Sequence, residues 1–161
     1  IVINSFSKYF CMPGWRLGWS IVPDSLVENF LRLSQNLFIS SGNIAQYSAI
    51  KIFDCIDDLD VIVENYKKTK EVIFNELSNL NMIRFNKPRG SFYYYIDISD
   101  LNIDSKQLTK NILQETGVVL TPGVDFDLKN GSKSFRLAFS IDGKVAEEGT
   151  KKLVNWFLSN Y

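Results

Sequence analysis

The sequence predicts a mixed fold, the tail of an α/β layer followed by a smaller α+β unit. Three observations predict it. An apolar, β-like opening, Ile1-Val2-Ile3, is answered by a second strand-like run from Leu17 to Val22 and then by a helical pattern. One long helical pattern, Asp57 to Leu80, separates the two parts of the chain. After residue 80, strands and helices alternate irregularly, which suits segregated helices and strands better than a doubly wound sheet. Roughly the first 50 residues then read as the last strands and helices of a larger α/β domain. The expected boundaries are residues 1–55 and 56–161.

With 161 residues the chain is long enough for one compact domain and short for two. It begins with Ile1 in mid-strand rather than with Met, so a piece of a longer polypeptide is expected. Lys plus Arg and Asp plus Glu number 18 each, a balance that gives no argument for nucleic acid or an anionic membrane as partner. No apolar run reaches the length of about 18 residues expected of a membrane span. Cys11 and Cys55 make neither a metal spacing nor a disulfide framework, so a reduced, cytoplasmic setting is the default. The chain has no histidine, which excludes Ser-His-Asp chemistry and imidazole metal sites within it. Any base here is a lysine, carboxylate, tyrosine or cysteine.

Taken in order, the opening strand leads into a polar turn, Ser5-Phe6-Ser7-Lys8-Tyr9-Phe10-Cys11-Met12-Pro13-Gly14-Trp15-Arg16, and back through Leu17-Gly18-Trp19. Pro23 and Asp24 open a helix to about Asn36, whose stripe of Leu26, Phe30, Leu33 and Leu37 reads as core. Phe38 to Asn43 reads as a loop and Ile44 to Ile50 as a helix, capped by Asn43 or Ser41. The long helix carries Leu59, Ile62, Tyr66, Ile73, Leu77 and Leu80 inward and Lys67, Lys68, Lys70 and Glu71 outward. Its lysines are interleaved with Glu64, Glu71 and Glu76, which argues against a nucleic-acid face.

Met82 to Asn86 and Ser91 to Ile98 read as strands about a Lys87-Pro88-Arg89-Gly90 turn. Alternation puts Phe92, Tyr94, Ile96 and Ile98 on one face and Tyr93, Tyr95 and Asp97 on the other. The tyrosine run invites base stacking, but with no basic groove beside it a strand packed on both faces is the better account. Asp104 to Gly117 is a helix with Asp104 as cap and Gly117 as stop, and Val118 to Thr121 a short strand ending at Pro122-Gly123. In Ser134-Phe-Arg-Leu-Ala-Phe-Ser140, alternation turns Phe135, Leu137, Phe139 and Ile141 to an apolar face. Ser134, Arg136, Ala138 and Ser140 take the other face, where small neighbours give the arginine room to meet a ligand. A last helix, about Lys144 to Leu158, turns Val145, Leu153, Trp156 and Phe157 inward.

Two stretches carry chemistry. In the first, Lys8 has a serine three residues before it and Arg16 eight after. An amine that forms an imine, with a hydroxyl and a guanidinium to hold a phosphate, is the set that pyridoxal phosphate needs. Taken alone, a lysine and an arginine at that spacing are more often a turn with stray charges. The second is Arg136, whose plain reading is an exposed edge-strand arginine.

The longer pattern, Ser-x-Ser-Lys followed by Met-Pro-Gly-Trp-Arg-Leu-Gly-Trp, resembles the lysine signature of the class I/II aminotransferases, the aspartate-aminotransferase-like (fold type I) pyridoxal-phosphate enzymes. The resemblance covers essentially the whole chain and corresponds to the C-terminal part of a family member. It implies that Lys8 is the Schiff-base lysine, that Ser5 and Arg16 hold the cofactor phosphate, and that Arg136 clamps the substrate α-carboxylate. It further implies a large cofactor-binding domain ending near residue 55, then a linking helix and small domain. Burial beside a cation such as Arg16 is the setting expected for the lysine.

Pro88-Arg-Gly-Ser-Phe-Tyr93 and Pro122-Gly-Val-Asp-Phe-Asp127 resemble two further family elements, the second with Asp127 in place of the usual glycine. A left-handed backbone there would be better tolerated by Asp than by most residues. Cys11 stands where a small residue is more usual. Ser41-Gly42 stands where many members have Asn-Pro, so no ligand role is carried onto Ser40, Ser41 or Asn43. The resemblance implies amino-acid and 2-oxo-acid substrates and a homodimer, with the aromatic residue over the cofactor ring, the aspartate at its nitrogen and a partner tyrosine all outside this chain. A carbon–sulfur lyase, a cyclopropane-forming synthase, a cofactor-sensing regulator domain and a catalytically silent interaction domain are the rival expectations. No second arginine can be placed to favour dicarboxylates.

Overall fold

The structure is a computed structural model that describes residues 1–161. The chain divides within its longest helix into two compact units, Ile1–Val63 and Glu64–Tyr161.

In the first unit β1 (Val2–Ser5) and β2 (Gly18–Ile21) form an antiparallel ribbon in which Ser5 stands opposite Gly18 and Ile3 opposite Ser20. Helices α1 (Asp24–Leu37) and α2 (Asn43–Lys51) follow, then a 3-10 turn over Ile52–Cys55 and the start of α3 (Ile56–Leu77). The buried cluster here is small, Phe6, Met12, Leu17, Ala45 and Ala49, with Phe10 and Ile52 against it. Most of its large side chains come from the turn between the two strands, so that turn is the core of the unit.

Two expectations change in this unit. The α1 stripe is not core within this chain: Phe30, Leu33 and Leu37 are exposed and only Leu26 is half-buried. Helical spacing establishes that a face is apolar, but a two-stranded ribbon offers too little surface to cover it. The cap of α2 is Gly42 with no side-chain bond, and Asn43 is already helical. Gln46 Nε2 donates instead to the Ser41 carbonyl at 2.7 Å and ties the helix start to the preceding loop.

The second unit is a four-stranded antiparallel sheet in the order β3 (Arg84–Phe85), β4 (Tyr93–Asp97), β6 (Ser134–Ala138), β5 (Thr121–Pro122). The C-terminal part of α3, α4 (Ser105–Thr116) and α5 (Gly143–Asn160) join it in one core. Tyr94, Ile96, Phe135, Phe139, Leu77, Leu108, Ile112, Leu153 and Phe157 are essentially sealed from water. The alternation read from the sequence therefore sets the sheet's inner face. Tyr94, whose ring lies in that core, satisfies its hydroxyl by donating to the Lys70 carbonyl at 2.7 Å, and burial pushes its phenol above the ordinary value. Helix α4 has the ends that its sequence foretold. Asp104 accepts from Lys106 N, and Gly117 takes the left-handed φ of 74° that closes the helix.

Several expectations are corrected. The outer face of β4 is open, with Tyr93 36% and Tyr95 41% exposed, so the strand is packed on one side only. Val145 and Ile141, expected inward, are 58% and 50% exposed: Ile141 follows the end of β6, and the first buried residue of α5 is Ala146, one position past Val145. The strand expected over Val118–Thr121 is only Thr121–Pro122, and that over Met82–Asn86 only Arg84–Phe85. Helix α3 stops at Leu77, although Leu80 is still buried beyond it. Asp127 is not among the residues with positive φ. Its carboxylate accepts from Lys129 N and Asn130 N, so this aspartate holds the turn by side-chain bonds and needs no left-handed backbone.

Asp97 gives the unit an acid-sensitive joint between β3 and β4. The Ser99 hydroxyl, with the Ser99 amide and Arg84 behind it, holds the Asp97 carboxyl below its ordinary value, against a smaller opposing push from burial. A carboxylate whose folded-state value is depressed stabilises the fold above its unfolded-state value and loses that contribution as pH falls through the lower one. The Tm of the protein is therefore expected to drop below about pH 4, and Asp97→Asn to lower Tm at neutral pH while flattening that acid dependence. Parallel acid limbs for the two proteins would contradict this.

Candidate functional site

The Lys8 turn is built almost entirely from its own backbone. Phe6 N donates to Leu17 O at 3.1 Å, Met12 N to Phe6 O at 3.0 Å and Cys11 N to Lys8 O at 3.0 Å. Phe6, Met12 and Leu17 are buried beneath the turn, and Phe6 and Phe10 pack with ring centres 4.9 Å apart. Tyr9 is pinned outward, its hydroxyl donating to Asp60 Oδ1 of α3 at 2.7 Å. That bond, with partial desolvation and the Asp60 charge behind it, holds the Tyr9 phenol above its ordinary value. Buried apolar residues below and the Tyr9 anchor beside it thus fix Lys8 between them. Lys8 itself is exposed, where burial was expected. The turn's apolar residues, Phe6, Met12 and Leu17, belong to the small core, while its lysine stays outside it.

Ser5 ends the outgoing strand and Arg16 precedes the returning one, so hairpin closure brings both to the same end of the ribbon as Lys8. Ser5 Oγ accepts from Ser7 N at 3.0 Å, which leaves its hydroxyl hydrogen to donate. Arg16 donates from Nη1 to Pro13 O at 2.8 Å and keeps most of its five donors for another acceptor. It does so from a left-handed backbone, φ 51° and ψ 46°, and Cys11 (φ 53°) and Ile39 (φ 66°) share that costly conformation. Such strain in non-glycine residues concentrates where a site is held in shape by its surroundings. Arg16 also lines an open groove of about 620 Å³ with Trp15, Trp19, Ser40 and Ser41; neither Ser5 nor Lys8 lines it.

Gly18 is the hinge of this arrangement. A Cβ there would stand 2.8 Å from the Asn4 carbonyl oxygen across the ribbon. Gly18→Ala is expected to part the strands at the Ser5 pair and destabilise the fold by about 1–3 kcal/mol, seen as a lower Tm. An unchanged Tm would show that the ribbon does not depend on this approach.

Arg136 belongs to the second unit, on β6 between Tyr95 of β4 and Thr121 of β5. Its Nη2 donates to Thr121 Oγ1 at 3.4 Å, a long bond, and its Nε is buried with no partner. The guanidinium carbon lies 4.4 Å from the centre of the Phe126 ring and 5.6 Å from that of Tyr93. A buried guanidinium donor without an acceptor is rare and costly, and an incoming anion relieves it. The sequence placed Arg136 correctly on the open face but gave no sign of Phe126, which reaches it from a turn. Tyr93 was expected on the second face of a strand packed on both sides, so neither its exposure nor its place beside Arg136 was foreseen.

The family model described as aminotransferase class I and II matches residues 1–153. The chain belongs to this family. It is 31% identical over 157 residues to an aspartate aminotransferase of Sulfolobus acidocaldarius, a match spanning 95% of this chain and 39% of that protein. It is 32% identical to a valine–pyruvate aminotransferase of Mycobacterium tuberculosis, over 99% of this chain and 42% of that protein. Among solved structures, an aminotransferase from Mycobacterium tuberculosis superposes with a TM-score of 0.93 at 32% identity, over 99% of this chain and 42% of the other. The mixed α/β and α+β architecture is thus that of an aminotransferase. The chain spans about two fifths of the length of the curated relatives it matches. Within this chain the first unit carries an amine, a hydroxyl and a guanidinium at one end of a ribbon, and the second carries a guanidinium with donors to spare.

Proposed function

We propose that the full-length protein containing this chain is a pyridoxal-phosphate-dependent aminotransferase, moving an amino group between an amino acid and a 2-oxo acid. The observation that carries the reading is the hairpin that brings Ser5, Lys8 and Arg16 to one end of a two-stranded ribbon, in a chain of this family. The donor set fits the cofactor. A spare Ser5 hydroxyl hydrogen and the spare Arg16 donors suit a phosphate dianion, and Lys8 supplies an amine for the aldehyde. Residues 1–55 would close the cofactor-binding domain, and residues 56–161 would form the linking helix and the small domain. We place the chain at the C-terminal end of the protein, and the protein in the cytoplasm as a homodimer. The two free, exposed cysteines suit a reducing compartment, and the exposed apolar face of α1 suits burial in a larger assembly.

Bound pyridoxal phosphate supplies the electron sink that makes the substrate α-proton acidic. The chain's own residues do the rest. Ser5 and Arg16 hold the phosphate so that the site keeps one orientation through the cycle. Lys8 Nζ would accept the proton leaving the substrate α-carbon, the base role open to an amine in a chain with no histidine. Arg136 receives the α-carboxylate in two parallel, charge-assisted hydrogen bonds, a geometry that a lysine would not reproduce.

The test is transfer of label. Full-length protein supplied with the cofactor, a nitrogen-labelled amino acid and a panel of 2-oxo acids is expected to yield a newly labelled amino acid. Release of labelled ammonia or of a thiol, with no labelled product amino acid, would overturn the aminotransferase reading in favour of a lyase.

A further inference from the structure

Arg136 lies beside two rings from parts of the unit that are distant in sequence, Phe126 at 4.4 Å and Tyr93 at 5.6 Å. We infer that Phe126 and Tyr93 are positioning residues for Arg136, holding its guanidinium in the orientation in which it receives a carboxylate. The inference rests on the reading of Arg136 as the carboxylate clamp and adds to it the device that sets the clamp.

The physical argument starts from the shape of the group. All guanidinium donors lie in one plane, whereas its faces are weakly hydrated and attract ring faces. Rings beside the group therefore restrain its plane without consuming a single donor. Bidentate recognition needs that restraint, since two parallel hydrogen bonds form only when the planes of guanidinium and carboxylate agree. Hydrogen bonds within the protein hold the group weakly, through the 3.4 Å bond to Thr121 alone. The sealed, unpaired Nε shows that water is excluded from that side, which strengthens any charge-assisted bond made to the neighbouring donors.

Phe126 is itself fixed by backbone. Its N–H donates to Gly123 O at 2.9 Å, and the turn it closes is pressed against Gly131. A Cβ on Gly131 would stand 2.5 Å from the Gly123 carbonyl, and one on Gly123 would stand 2.2 Å from Ser134 Oγ. Ser105 Oγ donates to Gly131 O at 2.8 Å and ties the same spot to α4. Tyr93 is held by strand pairing opposite Ala138, two residues beyond Arg136. Two glycines with no room for a side chain, and one ladder, thus determine where the rings stand. The rings determine how the arginine stands.

The test uses the full-length holoprotein and four variants, Phe126→Leu, Tyr93→Leu, Phe126→Tyr and Arg136→Lys. Phe126 and Tyr93 are 53% and 36% exposed, so leucine at either site preserves bulk in a position that tolerates change. Two quantities are measured. One is the first-turnover rate with an amino acid and with the corresponding amine that lacks the carboxylate. The other is the solvent-exchange rate of the Arg136 Nε–H signal by NMR, with and without propionate. Expected are a fall of about 10-fold in the first-turnover rate at subsaturating amino acid in Phe126→Leu, within the range of a desolvated cation–π contact, and little change for the amine. A smaller selective fall is expected in Tyr93→Leu, faster Nε–H exchange in both leucine variants, and recovery in Phe126→Tyr.

Equal falls for amino acid and amine would make the rings merely structural and overturn the inference. So would an unchanged amino-acid rate in both leucine variants while Arg136→Lys loses it, which leaves the clamp standing without its positioning device. An Arg136→Lys variant that keeps full preference for the carboxylated substrate would overturn the clamp itself, and the inference with it.

Discussion

Lys8→Ala in the full-length protein is expected to abolish the visible absorbance band formed with pyridoxal phosphate. It is also expected to lower first-turnover transamination by at least about 10²–10⁴-fold, the span attributed to a positioned general base alone. Loss of the covalent attachment acts on top of that. The expected change in stability is small. Lys8 is exposed on a turn whose packing comes from Phe6, Met12 and Leu17, so its truncation falls among surface substitutions, within about 0.5 kcal/mol. A folded, inactive variant with an unchanged Tm separates chemistry from folding. Exogenous alkylamines partly restoring turnover would assign the missing function to the amine. A variant that keeps its band would show that another lysine holds the cofactor.

Phe157→Ala is expected to have the largest effect on stability. The ring is fully buried, stacks on Phe135 with centres 6.3 Å apart and an interplanar angle of 16°, and meets Trp156 edge-on at 5.4 Å. Truncation removes its transfer energy and leaves a cavity that the sheet and α5 cannot fill, a loss of about 3–5 kcal/mol. The consequence reaches the candidate site, because Phe135 is the immediate neighbour of Arg136 on β6. A cavity behind Phe135 loosens the strand that carries the guanidinium. A drop in Tm should therefore be accompanied by a rise in KM for amino acids in whatever fraction stays folded. A Tm within a degree or so of the parent's would contradict the core assigned here.

Much of this was legible because the signals were local. Asp104 and Gly117 end α4 through bonds to residues within one turn, and the alternation of β4 and β6 needs only adjacent residues. The polar turn between the two opening strands was legible for the same reason, whereas Ser5, Lys8 and Arg16 were singled out by the longer pattern's resemblance to a family signature. What stayed hidden depends on distant partners. The apolar stripe of α1 declares a face but not its cover, so Phe30, Leu33 and Leu37 read as core and are exposed. Val145 stands one position off the buried face of α5, which begins at Ala146, and Ile141 follows the end of β6. The apposition of Phe126 to Arg136 depends on two glycines meeting across a turn, and no pattern in the sequence announces that.

Position, rather than spectrum, tests the central claim most directly. The full-length protein loaded with pyridoxal phosphate is reduced with borohydride, digested and mapped by mass spectrometry. The account predicts one phosphopyridoxyl label, on Lys8, in the peptide that also carries Cys11 and Met12 when cleavage falls at Arg16. A label on any other lysine, or no label on a folded, cofactor-saturated protein, would contradict it.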